Sequence, residues 1–472
     1  MENKLLKASG ATKLVNLSFI AQVYAFFMQL MLVRLLLPGE YGLFAVAAVI
    51  ADYCLLLVGH GLRESVIIIR GETKIIDTAI VLSILGAILL CILGLLSKQI
   101  FTLIPNLELG DLRIIAFLCW ARAPGIIGQV YVAVFDRWLK YEMVAYIRFI
   151  SLIIPPTIAV IAGYNGLGIY SLILREGLYS LILLFGGLLL LNFRLPRRFS
   201  LSTAIKIIKV SMQKIALRFT ELSYFKLPIL FIASYFGSSA AGYLDRAFFL
   251  VSVPGSILPT IQSLLLASTS KNQKQPKILS RLFLEINSLS FLLLVPLMLS
   301  FVAFPSEIIR LLFGDNWIPS TNYLQYAAFY VLFGTLVFNC ENILVGLRKI
   351  NQASIAYVLA IIIGSLSFFI SLINQESSFI GLYYSISSFI AMTFMINLLR
   401  NNDIFHTIVI KRISWYFFIA LILLFLNQLT YVSKLQIITI MKILILTITI
   451  CLLIYSERIG LSTILKLTGF RK

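Results

Sequence analysis

Residues 243–259 read "YLDRAFFLVSVPGSILP". An aspartate and an arginine, Asp245 and Arg246, open a long apolar run, and two prolines, Pro254 and Pro259, fall inside it. The run belongs to an apolar segment at about 239–268, long enough to cross a ~30 Å hydrocarbon core as a helix. An arginine at the centre of a bilayer costs about 2.5–3.5 kcal/mol, so the charge pair must face protein or water rather than lipid. The stretch predicts a helical membrane protein with a polar interior.

The rest of the chain agrees. Of 472 residues, 60% are hydrophobic and 12% charged, and the mean hydropathy is +0.98. A soluble chain carries about a quarter charged residues. Apolar runs of membrane-crossing length predict an all-α polytopic protein with fourteen spans, at about 14–37, 40–62, 75–97, 112–135, 144–163, 167–192, 213–236, 239–268, 280–304, 319–347, 351–373, 378–399, 413–432 and 435–455. The first span follows a short basic leader and is expected to stay as an anchor.

A net charge of +19 invites a nucleic-acid reading, but the placement of the charges argues otherwise. With loops taken alternately from inside, 27 of the 39 basic residues fall on one side and four (Lys98, Arg113, Arg310, Lys434) on the other. This is the positive-inside pattern, with both termini cytoplasmic. The basic excess orients the chain and implies no nucleic-acid partner. The five cysteines lie singly in apolar spans, and His60 and His406 are far apart, so no metal site is expected.

The organisation reads as two six-helix lobes, 1–192 and 213–399, joined by a basic linker at 193–212, with two further helices and a cytoplasmic tail at 400–472. In the linker region "FRLPRRFSLSTAIKIIKVSMQK" (193–214), Leu201, Ile205 and Ile208 share one helical face while Lys206 and Lys209 lie elsewhere. That suits a short helix in the inner interface. Residues 31–44, "MLVRLLLPGEYGLF", echo 231–244, "FIASYFGSSAAGYL", with Gly42 and Gly242 in register. Internal repeats of this kind are a common transporter plan.

Several charges remain inside the spans. Arg148, Glu285 and Glu341 lie near inner helix ends, and Arg218 with Glu221 share a face, so these have structural explanations. Others are deeper. At 1.5 Å per residue, Arg122 lies roughly 15 Å, Arg175 roughly 12 Å, Arg246 roughly 10 Å and Lys226 roughly 9 Å from an outer helix end. Arg34 sits nearer the outer mouth. These five cations are the candidate binders of an anionic headgroup, and Asp52, Glu176 and Asp245 are candidate coupling or cavity acids. Arginine suits phosphate because its planar fork makes two charge-assisted hydrogen bonds. "RAPGIIG" (122–128) and "SVPGSILP" (252–259) would weaken helix regularity beside these charges.

Three segments carry a family resemblance: "LVRLLLPGEYGLFAVAAVIADYCLLLVGHGLRES" (32–65), "GYLDRAFFLVSVPGSILPTIQSLLLASTSK" (242–271) and "IIRLLFGDNWIPSTNYLQYAAFYVLFGTLVFNCENILVGLRKINQ" (308–352). They resemble the polysaccharide transporter branch, with its Wzx-type flippases, of the multidrug/oligosaccharidyl-lipid/polysaccharide (MATE/MOP) exporter superfamily. The resemblance implies a V-shaped pair of six-helix lobes that rock between inward- and outward-open states. It implies transport of undecaprenyl-diphosphate-linked oligosaccharide to the outer leaflet of the bacterial cytoplasmic (inner) membrane, with cavity arginines on the diphosphate. Arg246 lies in the family's motif region, although Asp245 stands where a small or hydroxyl residue is expected. Expected partners are the lipid-linked oligosaccharide, membrane lipids and a polymerase of the same pathway. No cofactor is expected, and a proton gradient, a sodium gradient or the membrane potential would drive the cycle. Phe313, Gly314 and Trp317 fit an outer interfacial turn with an aromatic anchor.

Two other functions compete. A polymerase or glycosyltransferase needs acids or histidines on an extended outer loop, whereas the outer loops here are short and the longest, 98–111 and 305–318, offer only Glu108, Asp111, Glu307 and Asp315 without a convincing pair. A multidrug antiporter of the same superfamily would favour an acid-rich cavity, whereas this layer is net cationic.

Overall fold

The computed structural model describes residues 2–59, 61–69, 73–101, 113–138, 140–191, 195–253, 265–266, 268–270, 272–405, 407–433 and 436–456. Among them there are helices and no strand. The prolines Pro254 and Pro259, the acids Glu108 and Asp111, and both histidines lie outside the described residues.

In chain order the helices are α1 (Glu2–Leu35), α2 (Pro38–Gly59), α3 (Leu62–Ile68), α4 (Thr73–Phe101), α5 (Arg113–Arg137), α6 (Tyr141–Tyr164), α7 (Tyr170–Leu190) and α8 (Leu201–Ser252). They continue with α9 (Pro276–Ala303), α10 (Pro305–Leu312), α11 (Ser320–Ala327), α12 (Tyr330–Gly346), α13 (Ile350–Gly364), α14 (Leu366–Ile373), α15 (Gly381–Arg400), α16 (Thr407–Ser433) and α17 (Gln436–Ser456). Among the described residues, ten helical stretches are long and apolar enough to cross a membrane, or eleven if α11 and α12, bent by 45°, form one span. This is a multi-pass membrane protein.

From those eleven, fourteen spans are reached if Leu217–Ser252 counts as two and the shorter apolar pieces Phe19–Leu35 and Thr439–Ile454 count as one each. For Leu217–Ser252 the geometry decides. Gly237 breaks α8 with φ 85° and ψ 174°, a backbone that side chains other than hydrogen rarely adopt. On either side of it, the Phe225 and Phe248 rings lie 6.0 Å apart. A continuous helix would separate those residues by roughly 35 Å. The chain therefore turns back at Gly237, and α8 is a hairpin of two antiparallel arms.

The chain forms two compact units, Met1–Leu222 with Ile229–Gly242, and Ser223–Pro228 with Tyr243–Lys472. In the first, α5 packs on α4 and α7, and α1 on α6. The α5–α7 approach is close because a Cβ on Gly128 would come within 2.6 Å of the Leu183–Leu184 backbone. Helix α5 runs on through Pro124 rather than breaking there. In the second unit, α15 packs on α12 and α13, while α9 packs on α12 and α16. Asn287 of α9 and Asn339 of α12 are fully buried and joined by a 2.9 Å bond.

Trp317 corrects an expectation. It is not an interfacial anchor but a core ring, 1% exposed, packed edge-on against Phe313 at 5.8 Å and Tyr243 at 6.1 Å. Gly314, at φ 95°, supplies the turn that folds the indole inward. Burying so large a ring is worth more than leaving it at a wet surface.

Candidate functional site

The first unit gathers charges from four helices. Arg122 of α5 donates from Nη1 to Asp52 Oδ1 of α2 at 2.7 Å and from Nε to Glu176 Oε2 of α7 at 3.0 Å. The other oxygen of Glu176 accepts from Arg175 Nη2 at 2.8 Å. Arg175 Nη1 donates to Gln29 of α1, and Gln29 Nε2 donates in turn to the Tyr41 hydroxyl at 3.3 Å. All four charged side chains are between 15% and 25% exposed. The partners are far apart in sequence, and only the packing of α5 on α7 and α2 brings them within reach.

Two of the candidate cavity acids, Asp52 and Glu176, are thus the partners of the candidate cations Arg122 and Arg175. Within the first unit the two arginines are matched by two carboxylates, so the network carries no net charge. The reason is energetic: a guanidinium held out of water needs a partner, or it costs several kcal/mol (~3–5). Glu176, shared between both arginines, is the hinge of the network. Gln29 and Tyr41 carried no charge to draw notice, and sequence reasoning missed them.

In the second unit, Arg246 is 8% exposed and donates from Nε to Asp245 Oδ2 at 3.0 Å and from Nη2 to the same oxygen. Its guanidinium also lies 5.0 Å from the Phe249 ring centre, a cation–π contact. Beneath this pair is an aromatic cluster. Phe248 stacks on Tyr384 at 3.9 Å, and the Tyr384 hydroxyl donates to the Phe225 carbonyl at 3.1 Å, closing the α8 hairpin. Nearby, Glu341 accepts from Tyr357 at 2.5 Å.

Arg34 lies exposed in the last turn of α1, and Lys226 is half-buried in the first arm of α8. Arg218 pairs with Glu221 at 2.6 Å, and Arg281 with Glu285 at 3.0 Å. Among the described residues no cluster of His, Cys, Asp or Glu can hold a metal ion.

The echo between Gly42 and Gly242 has a physical counterpart. A Cβ on Gly42 would overlap the Ser238 carbonyl, and one on Gly242 would overlap the Pro38 carbonyl. Each also lies about 3 Å from the other glycine's backbone nitrogen. The start of α2 and the start of the second α8 arm thus cross backbone to backbone, at the two positions the repeat aligns.

A family model described as "Polysaccharide biosynthesis protein" matches residues 31–322. The chain belongs to that family. Among the family protein's relatives, the succinoglycan biosynthesis transport protein ExoT of Rhizobium meliloti (strain 1021) is 24% identical over 335 residues, 70% of this chain and 67% of that one. Two solved structures show the fold. The lipid II flippase MurJ, in an inward closed conformation, aligns with TM-score 0.68 at 14% identity, covering 97% of this chain and 99% of that one. An inward-facing multidrug resistance MATE family transporter of the MOP superfamily aligns at TM-score 0.60 and 11% identity, covering 83% and 98%. This member of the polysaccharide biosynthesis family therefore has the MATE/MOP transporter fold. Its Arg122 and Arg246 both lie inside the matched residues.

Proposed function

We propose that the protein is a flippase. It carries undecaprenyl-diphosphate-linked oligosaccharide from the inner to the outer leaflet of the bacterial cytoplasmic membrane, by alternating access and without changing its covalent structure. The observation that carries this reading is the arginine-centred network inside the bundle of a polysaccharide biosynthesis family member. Interior arginines are expensive in a membrane and suited to phosphate. The relation to a succinoglycan transport protein supports the saccharide cargo, and the MATE/MOP fold supports transport.

In this reading Arg122 and Arg175 are held by Asp52 and Glu176 until a diphosphate competes for their donors. Arg34, Lys226 and Arg246 are further candidate donors to the diphosphate, and Asp245 plays the holding role beside Arg246. Both chain termini lie on the cytoplasmic side.

Purified protein in sealed vesicles tests the proposal. Labelled undecaprenyl-diphosphate oligosaccharide should become accessible on the opposite face with its mass unchanged. Elongation or cleavage of the glycan would replace transport with an enzyme. Movement of cationic drugs without movement of the lipid-linked sugar would replace it with a multidrug antiporter.

A further inference from the structure

We propose that the segment 195–212, leading into α8 and forming its first three turns, is a docking surface for anionic phospholipid headgroups, built as a fixed part of the first unit. The helical part, from Leu201 onward, has three distinct faces. Ala204, Ile207 and Ser211 are buried. The Ser65 hydroxyl of α3 meets them, 3.2 Å from Ser211 Oγ and donating to the Ile207 carbonyl at 3.3 Å. The approach is tight: a Cβ on Gly61 would lie 2.7 Å from Ser211 Cα. Ahead of the helix, Arg197 N donates to Asp77 Oδ2 and Ser200 N to Thr78 Oγ1, each at 3.3 Å, which fixes the entry to α4.

The second face is apolar and uncovered. Leu201, Ile205, Ile208 and Met212 recur at helical spacing, so they form one stripe, and they are 68%, 58%, 45% and 63% exposed. Leu195 and Phe199 extend the stripe ahead of the helix. The third face carries Lys206 and Lys209, both exposed and turned about 80–140° from the stripe on the side away from the protein. Exposed Arg197 and Arg198 stand beside Phe199. No acid occurs between residues 195 and 212. An apolar stripe flanked by cations, with a separate face bonded to the protein, fits the headgroup boundary of a leaflet. An acidic protein partner would satisfy the charges but would not need the continuous aliphatic stripe. Each cation near an anionic surface favours partitioning about fivefold, so the lipid that is recognised is anionic. Because the segment is bonded to α3 through the helix and to α4 ahead of it, that headgroup charge acts on the first unit.

The test uses the full-length protein in nanodiscs of phosphatidylcholine, with or without phosphatidylglycerol, and reads hydrogen exchange along the chain. Amides of 201–212 should exchange several-fold more slowly with phosphatidylglycerol, and high salt should erase the difference. The Arg197→Gln/Arg198→Gln/Lys206→Gln/Lys209→Gln variant should lose the slowing while its other helices exchange as in the wild type. Ile205→Ser/Ile208→Ser should speed exchange of the segment in both discs. Equal exchange of the wild-type segment in the two discs overturns the proposal, as does slowing that persists in the quadruple variant or spreads evenly over all helices. Slowing by inorganic phosphate in phosphatidylcholine discs would instead show a soluble-anion site, and slowing only on addition of an acidic protein would show a protein interface. Either outcome overturns it.

Discussion

Arg246 and Asp245 are sequence neighbours whose side chains leave a helix about 100° apart, yet they pair. The long guanidinium arm closes the gap, because in a low-dielectric interior an unpaired charge is the costlier alternative. Asp245→Leu alone should therefore destabilise the protein by ~3–5 kcal/mol, whereas the Asp245→Leu/Arg246→Leu double should be nearly neutral, as thermal unfolding in detergent would show. Transport separates pairing from cargo recognition. If Arg246 reads the diphosphate, the stable double variant moves no lipid-linked sugar, and an active double would make the pair purely structural. Arg122 makes a parallel case with a different expectation. Arg122→Gln removes one guanidinium partner from each of Asp52 and Glu176 and should lower transport at least about tenfold at unchanged membrane level. Arg122→Lys should keep part of that activity, since charge survives without the two-pronged donor geometry.

At the scale of helices, the crossing of α2 with the second arm of α8 rests on two residues without side chains. Alanine at Gly42 or Gly242 places a carbon inside a backbone carbonyl that cannot swing aside. Either change should cost about 1–3 kcal/mol of stability, read as a lowered melting temperature. Gly39 is the internal control. Its added Cβ would meet only Ser239 Oγ, at 3.3 Å, a side-chain end that can rotate. Gly39→Ala should leave the melting temperature nearly unchanged. Equal sensitivity at Gly39 and Gly42 would show that helix propensity, not close approach, governs the crossing.

For the whole molecule, orientation follows from where the cations lie. Reporter fusions after Lys274 should read as cytoplasmic and fusions after Gly314 as external, because the basic loops alternate with poorly charged ones. An external reading at Lys274 would invert the bundle and, with it, the direction proposed for transport. The two units each hold one arginine-centred pair or network, Arg122 with Asp52 and Glu176 in the first and Arg246 with Asp245 in the second. The repeat seen between 31–44 and 231–244 ends in physical contact at Gly42 and Gly242.

The membrane class, the helical elements and the hairpin near residue 237 were legible in the amino-acid order, since hydropathy and turn chemistry are local properties. The family was legible too, from runs such as 242–271 and 308–352. Ion pairing was not. Arg122 meets partners 54 and 70 residues away, and a list of buried charges does not say which helix faces which. Reading charges by depth gave a net cationic layer with Asp52 and Glu176 as candidate cavity acids but no pairing, whereas packing of α5 on α2 and α7 joined Arg122 and Arg175 to those two carboxylates and to Gln29. Trp317 went the same way: its composition suggested an interface, and the fold of the Gly314 turn put it in the core. Long-range electrostatics in a low dielectric depends on which side chains are brought within about 4 Å, and only the tertiary structure decides that.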